Sequence, residues 1–164
     1  MASVNQSTSP SPGPLPDDGT APSEGASPED VVGVSDEMVP LVGLAVEHGL
    51  DLMGQGKDLE PTVLAITADG MRGMWTDPEM TPEDSAGFVA KIDPRPAQAV
   101  AVFHGGVEQE GGLAPAYFVE SFEAGQEVSV RMVFLHSVGN PDTGEKPRML
   151  GEPTVVGNGP NPLA

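Results

Sequence analysis

Cysteine is absent from this 164-residue chain, and basic residues and aromatic side chains are scarce. The lack of cysteine excludes disulfides, thiolate nucleophiles and cysteine-ligated zinc or iron–sulfur centres. No apolar run approaches the roughly 18 residues that a membrane-spanning helix needs. The first residues also lack the basic residues and the apolar stretch of a secretory signal. We therefore expect a cytoplasmic protein with no membrane contact.

The second shortage is positive charge. Seven Lys and Arg residues stand against 25 Asp and Glu residues, which gives a formal net charge of −18. Because such a surface repels phosphates and anionic lipid, we expect no nucleic-acid partner. An acidic mimic of nucleic acid is a third functional hypothesis. It predicts carboxylates arrayed at phosphate-like spacing, whereas the acids of this sequence are scattered.

The chain also lacks the short motifs that indicate a reaction. Walker-type, G-x-G-x-x-G, EF-hand and G-x-S-x-G patterns are all missing from the sequence. His104-Gly105-Gly106 resembles an esterase oxyanion loop, but without a nucleophile elbow it is interpreted as a flexible loop after a strand. We expect no cofactor and no resident metal.

Proline and glycine are abundant, at 18 and 21 residues, and they are concentrated at the two ends. Residues 1–28 contain six Pro and six Ser with almost nothing apolar, so we predict a disordered acidic arm. Residues 29–138 are long enough for one domain with a real core. Residues 139–164 are predicted to be a loose tail from which one edge strand could dock, through Met149-Leu150 or Val155-Val156.

Hydrophobic periodicity predicts the element order α-β-β-α-β-β-β. This order indicates an α+β fold in which a five-stranded, mostly antiparallel sheet carries two helices on one face. Ser35 is expected to cap the first helix, and Gly54 and Gly56 to end it. Thr81-Pro82 is a strong start for the second helix. The last three strands are expected near 97–104, 116–123 and 128–138.

Two hairpins are predicted with explicit pairings. Asp69-Gly70 suits a two-residue type I′ turn, which would pair Leu64 with Trp75 and place both on the core face. A turn at Gly125-Gln126 would place Glu120 opposite Arg131.

The predicted second hairpin is apolar on both faces. Its Glu120–Arg131 face also carries Phe118, Phe122, Val133 and Leu135. Either helices cover both faces, or this one is an interaction surface.

Two histidines are expected to meet at one end of the sheet. The register places His104 and His136 at the same end, with Tyr117 nearby. With an acid such as Glu108 or Glu110 they would form a divalent-metal site, or alone a pH-sensitive pair. The alternative is that each histidine bonds only to backbone or water.

These observations favour a non-enzymatic interaction module that binds a protein partner or a second copy through an apolar sheet face or edge. The alternative from another class is an enzyme or metal-binding protein that uses His104 and His136.

Overall fold

A computed structural model describes residues 32–140 and 142–164, so the arm predicted for residues 1–28 lies outside the described residues. Its centre is one antiparallel sheet with the strand order β2-β1-β3-β4-β5-β6. None of the described residues lies in a helix with the length and apolarity for crossing a membrane. The elements are α1 Val39–Gly54, β1 Thr62–Thr67, β2 Arg72–Thr76, a 3-10 turn Pro82–Asp84 leading into α2 Ser85–Ala90, β3 Pro96–Gln109, β4 Gly112–Glu123, β5 Val128–Leu135 and β6 Thr154–Pro160.

The predicted α+β class, the two helices and the antiparallel sheet are confirmed, but the prediction of five strands is wrong. The sixth strand, β6, comes from the Pro/Gly-rich tail and pairs with β5. Its β propensity is confined to the short Val155-Val156 run, and its pairing with β5 is interrupted by a register shift between Arg131 and Met132. Such a strand gives little periodic signal in the sequence.

The prediction that both helices pack on one face of the sheet is also wrong. Alternate residues of a strand point to opposite faces, and the two neighbours Val63 and Leu64 belong to different cores. Helix α1 covers one core and α2 the other. The near-continuous apolar runs of β1 and β3 are typical of strands buried on both faces.

The β4–β5 register matches the prediction residue by residue, with Glu120 opposite Arg131 and Tyr117 opposite Phe134. The hairpin turns at Gly125, whose φ is 86°. The pairing places Phe118, Glu120 and Phe122 on the α2 face, while Tyr117 points to the α1 face.

The β1–β2 register differs from the prediction by one residue. Val63, not Leu64, lies opposite Trp75. The loop has three residues, because Ala68 joins Asp69 and Gly70 in it and the Thr67 amide donates to the Met71 carbonyl at 2.8 Å. A shift of one residue reverses the faces. Trp75 therefore lies on the α2 face, where its ring meets Phe88 edge-on at 6.2 Å between centroids.

Helix α1 starts later than the sequence indicated. Ser35 does not cap it; the Ser35 hydroxyl donates to a Glu123 carboxylate oxygen at 2.7 Å, and the helix begins at Val39. The helix ends in a Schellman arrangement, in which Gly56 has a φ of 77° and the Lys57 amide donates to the Leu52 carbonyl. This turn directs the next residues back towards the sheet.

The last residues of the chain are packed rather than loose. Leu163 is 1% exposed and belongs to the α2-face core. The Asn161 side-chain amide donates to the Glu123 and Gln126 carbonyls, and the Gly125 amide donates to the Leu163 carbonyl. The chain end thereby holds the β4–β5 turn.

Candidate functional site

The sheet brings His104, His136 and Tyr117 into one aromatic cluster beneath α1, as the sequence predicted for the two histidines. The two Nε2 atoms are 3.1 Å apart. The Tyr117 ring stacks on His136 with centroids 4.4 Å apart, and both lie within 5.1 Å of the His104 ring. Tyr117 and His136 are almost completely buried, so side chains fill this end of the sheet.

Hydrogen bonding assigns the protons of the histidine pair. His136 Nδ1 lies 2.7 Å from the Ser137 carbonyl, which can only accept, so Nδ1 carries a hydrogen. Burial, and secondarily the charge of His104, lowers the pKa of His136 and keeps it neutral. Its Nε2 is then an acceptor, and His104 Nε2–H is the donor. His104 Nδ1 faces an Asp58 carboxylate oxygen 3.7 Å away.

Tyr117 completes the cluster with a hydroxyl that has no hydrogen-bond partner among the described residues. Burial, with a smaller contribution from the charge of Asp58, raises its pKa to about 12. Gly49 of α1 makes room for the ring, because a Cβ at that position would lie 2.8 Å from two ring carbons. The sequence showed Tyr117 near the histidines but gave no sign of Asp58 or Gly49.

Glu108 does not join the cluster. It lies opposite Leu113 on the exposed part of the β3–β4 hairpin, four residues and about 13 Å along β3 from His104. Asp58 faces Nδ1 of His104, whereas His136 faces Nε2, so these ligands do not converge on one point. Within residues 32–140 and 142–164, no group of three potential ligands could hold a metal ion.

The four residues of the predicted interaction surface differ in their exposure. Phe122 is fully buried in the α2-face core, while Phe118, Val133 and Leu135 are partly exposed. Glu120 between them is buried, and its carboxylate accepts from the Ser85 and Ser129 hydroxyls and from Arg131 Nε at 3.2 Å. This carboxylate joins α2 to the sheet.

A large apolar concavity lies on the other face, between α1 and the β5–β6 edge, with a volume of about 520 Å³. Helix α1 packs mainly against β3 and β4 and shares its core with the inward residues of β5, whereas no residue of β6 belongs to that core. Among the described residues that line this groove, Glu47 is the only charged one. The apolar lining comprises a wall on α1 (Val39, Val46, Leu50), a floor on β5 (Met132, Phe134) and a second wall on the tail (Met149, Pro153, Val155).

Comparison with protein-family models, with curated proteins and with solved structures found no match to this chain in any of the three. Its function therefore has to be argued from its own geometry.

The groove between α1 and the β5–β6 edge was not predicted from the sequence, although the sequence of α1 contains a signal for it. Val39, Gly43, Val46 and Leu50 recur at i, i+4, i+7 and i+11, in a stripe that borders the face α1 buries against the sheet and shares Val46 with it. A second apolar stripe on one helix indicates a second contact. The sequence alone does not distinguish such a contact from deep packing of the whole helix, because it does not show which strands α1 covers.

Proposed function

We propose that this protein is a non-enzymatic binding module, and that the groove between α1 and β6, lined on one side by Val39, Gly43, Val46 and Leu50, accepts an amphipathic helix bearing basic residues. The observation that carries the proposal is the groove itself, which is concave, apolar and open. Clefts of this size and lining are the usual form of binding sites in proteins.

A helix is the occupant that fits the shape of the groove. The stripe on α1 has the heptad-like spacing with which helices pack side by side. Gly43 presents no side chain, and a Cβ built on it meets nothing within 4 Å. A partner helix can therefore approach α1 closely while its apolar face rests on Met132 and Phe134 of β5, in the helix-in-groove mode of recognition.

The charge around the groove determines which partner helices it can bind. Residues 32–164 hold 20 acids and seven bases. Glu47 lines the groove, and Asp36 and Glu37, both exposed, immediately precede α1. Near the other end, Arg148 is paired with Glu145 at 3.3 Å. A partner with lysine or arginine beside its apolar face is attracted, whereas an acidic one is repelled.

The placement of the aromatic cluster supports binding rather than catalysis. Tyr117 and His136 contact each other and His104 beneath α1, and neither is exposed to an incoming substrate.

The test uses two synthetic helical peptides with the same leucine stripe, one carrying lysine and one carrying glutamate at all other positions. The full-length chain is expected to bind the lysine peptide, more weakly as salt is added, and to bind the glutamate peptide at least about tenfold less. Gly43→Leu fills the groove and should reduce binding of the lysine peptide at least about tenfold.

Gly87→Leu is the matched control, because Gly87 is also an exposed helical glycine at which an added Cβ would meet nothing within 4 Å, but it lies in α2 on the opposite face. It should bind like the unaltered chain. Equal binding by the Gly43→Leu and Gly87→Leu variants would overturn the proposal. Self-association that only Gly43→Leu abolishes would also overturn it, and would identify a second copy as the occupant.

A further inference from the structure

The histidine pair lies at one end of the proposed binding groove. Phe134, which forms part of the groove floor, is two residues before His136 and on the same face. Met149, which forms part of the second wall, is bridged to His136 across the strands. The Ser137 amide donates to the Arg148 carbonyl, and the Leu150 amide to the Leu135 carbonyl, both at 2.8 Å. The residues on either side of His136 are therefore bonded directly to the segment that forms the groove wall.

We infer that the His104–His136 pair makes the groove a pH-dependent binding site, whose partner is released when a second proton enters the pair. This inference rests on the proposed function and adds a regulator to the same site. A first added proton on His104 Nδ1 would face Asp58, 3.7 Å away. The second removes the Nε2 lone pair that accepts the hydrogen bond from His104, so two cations would face each other at 3.1 Å.

The charged and titratable groups around the pair offer little compensation for that second charge. Asp58, after α1, lies 3.7 Å from His104 Nδ1 on the side away from His136 and has a 90% exposed side chain. Tyr117, from β4, stays a neutral phenol, and the Ser137 carbonyl already accepts from His136. In the tail segment, the Arg148 guanidinium is positive and bonded to Glu145. The repulsion between the two cationic imidazoles is then relieved when the rings separate, which moves His136 against Met149.

Proton linkage gives the direction of the effect. A partner seated over Phe134 and Met149 binds the groove wall in the arrangement it has while His136 is neutral, and so favours that form. The bound state then holds fewer protons than the free state, and affinity falls as pH falls. Folding stability also falls as pH falls. The lowered pKa of His136 makes the unfolded chain bind more protons than the folded chain below about pH 6.5. Free carboxylates titrate at about pH 4, below the range of a comparison between about pH 7.5 and about pH 5.5, so that comparison is directed at the histidines.

The first measurement needs no partner. Nuclear magnetic resonance of the three histidine rings in the free, full-length chain is expected to show two coupled titrations for His104 and His136 and a separate one for His48. A common, ordinary midpoint near about pH 6.5 for all three would overturn the inference. This readout is valid even if the lysine peptide binds at neither pH, an outcome that would refute the proposed function alone.

The second measurement compares binding of the lysine peptide at about pH 7.5 and about pH 5.5. The unaltered chain should lose about tenfold in affinity. His104→Gln, whose amide can still donate to His136 Nε2, should lose less than about twofold, and Asp58→Asn should shift the loss to lower pH. His48→Gln is the control and should behave like the unaltered chain. The same pH dependence in the chain and in His104→Gln would overturn the inference.

Discussion

Tyr117 is the only tyrosine in the chain, so its ionisation can be followed without interference from another phenol. We predict that alkaline titration by ultraviolet difference spectroscopy gives a midpoint near 12 in the folded protein, because burial disfavours the phenolate. The unfolded chain in urea should titrate near the ordinary value of about 10. Since the unfolded chain releases this proton first, stability should fall above about pH 10.

A native midpoint at the ordinary value would show that the Tyr117 hydroxyl is solvated. It would contradict the closed cluster in which Tyr117 stacks on His136.

The same cluster shows what sequence reasoning can reach at the residue scale. The approach of His104 and His136 could be predicted, because strand register fixes which residues share an end of the sheet. Glu108 is only four residues from His104 in the sequence, but β3 continues beyond His104 to Gln109 and carries Glu108 away from the pair. Asp58 reaches His104 through the turn after α1, and no local pattern encodes that path.

At the scale of elements, α1 contains two glycines with opposite environments. A Cβ on Gly43 meets nothing within 4 Å, whereas a Cβ on Gly49 lies 2.8 Å from the Tyr117 ring. Gly43→Ala is therefore expected to stabilise the fold by about 0.5–1 kcal/mol through helix propensity. Gly49→Ala gains the same propensity but overpacks the core, and should destabilise the fold by a net of about 1–2 kcal/mol. Urea unfolding of both variants measures the difference.

The Gly43→Ala and Gly49→Ala variants control for each other, because the original residue, the helix and the substitution are the same. If both variants shift stability in the same direction, the packing of α1 on Tyr117 is incorrect. In a Tyr117→Leu background, where the ring is absent, Gly49→Ala should lose most of its destabilising effect.

Element boundaries and pairings were predictable to different degrees, for identifiable reasons. The β4–β5 register followed from one turn at Gly125, and the structure has the same register. The β1–β2 register was off by one residue, because Ala68 fits a strand as well as a loop. Both faces of β1 and β3 are apolar, so the sequence does not show on which side of the sheet each helix packs.

The whole molecule explains why a groove exists at all. One helix packs on each face of a six-stranded sheet, so neither can cover its full width. Helix α1 contacts β3 and β4, and the tail adds β6 at the far edge. The tail strand at Val155-Val156, which the sequence offered as one of two candidate edge strands and did not count in the sheet, therefore supplies part of the second wall of the proposed binding site, through Val155.

The tail is accordingly expected to be part of the cooperative fold. Leu163 is 1% exposed, so Leu163→Ala should destabilise the protein by about 2–5 kcal/mol. Leu113→Ala is the matched control, because Leu113 is 74% exposed and should change stability by less than about 0.5 kcal/mol. Trp75, the only tryptophan, lies on the edge strand β2, so its fluorescence during urea unfolding reports on the edge opposite β6. If Leu163→Ala left the Trp75 transition unchanged, the tail and the β2 edge would unfold independently, and the sheet could not be one cooperative unit.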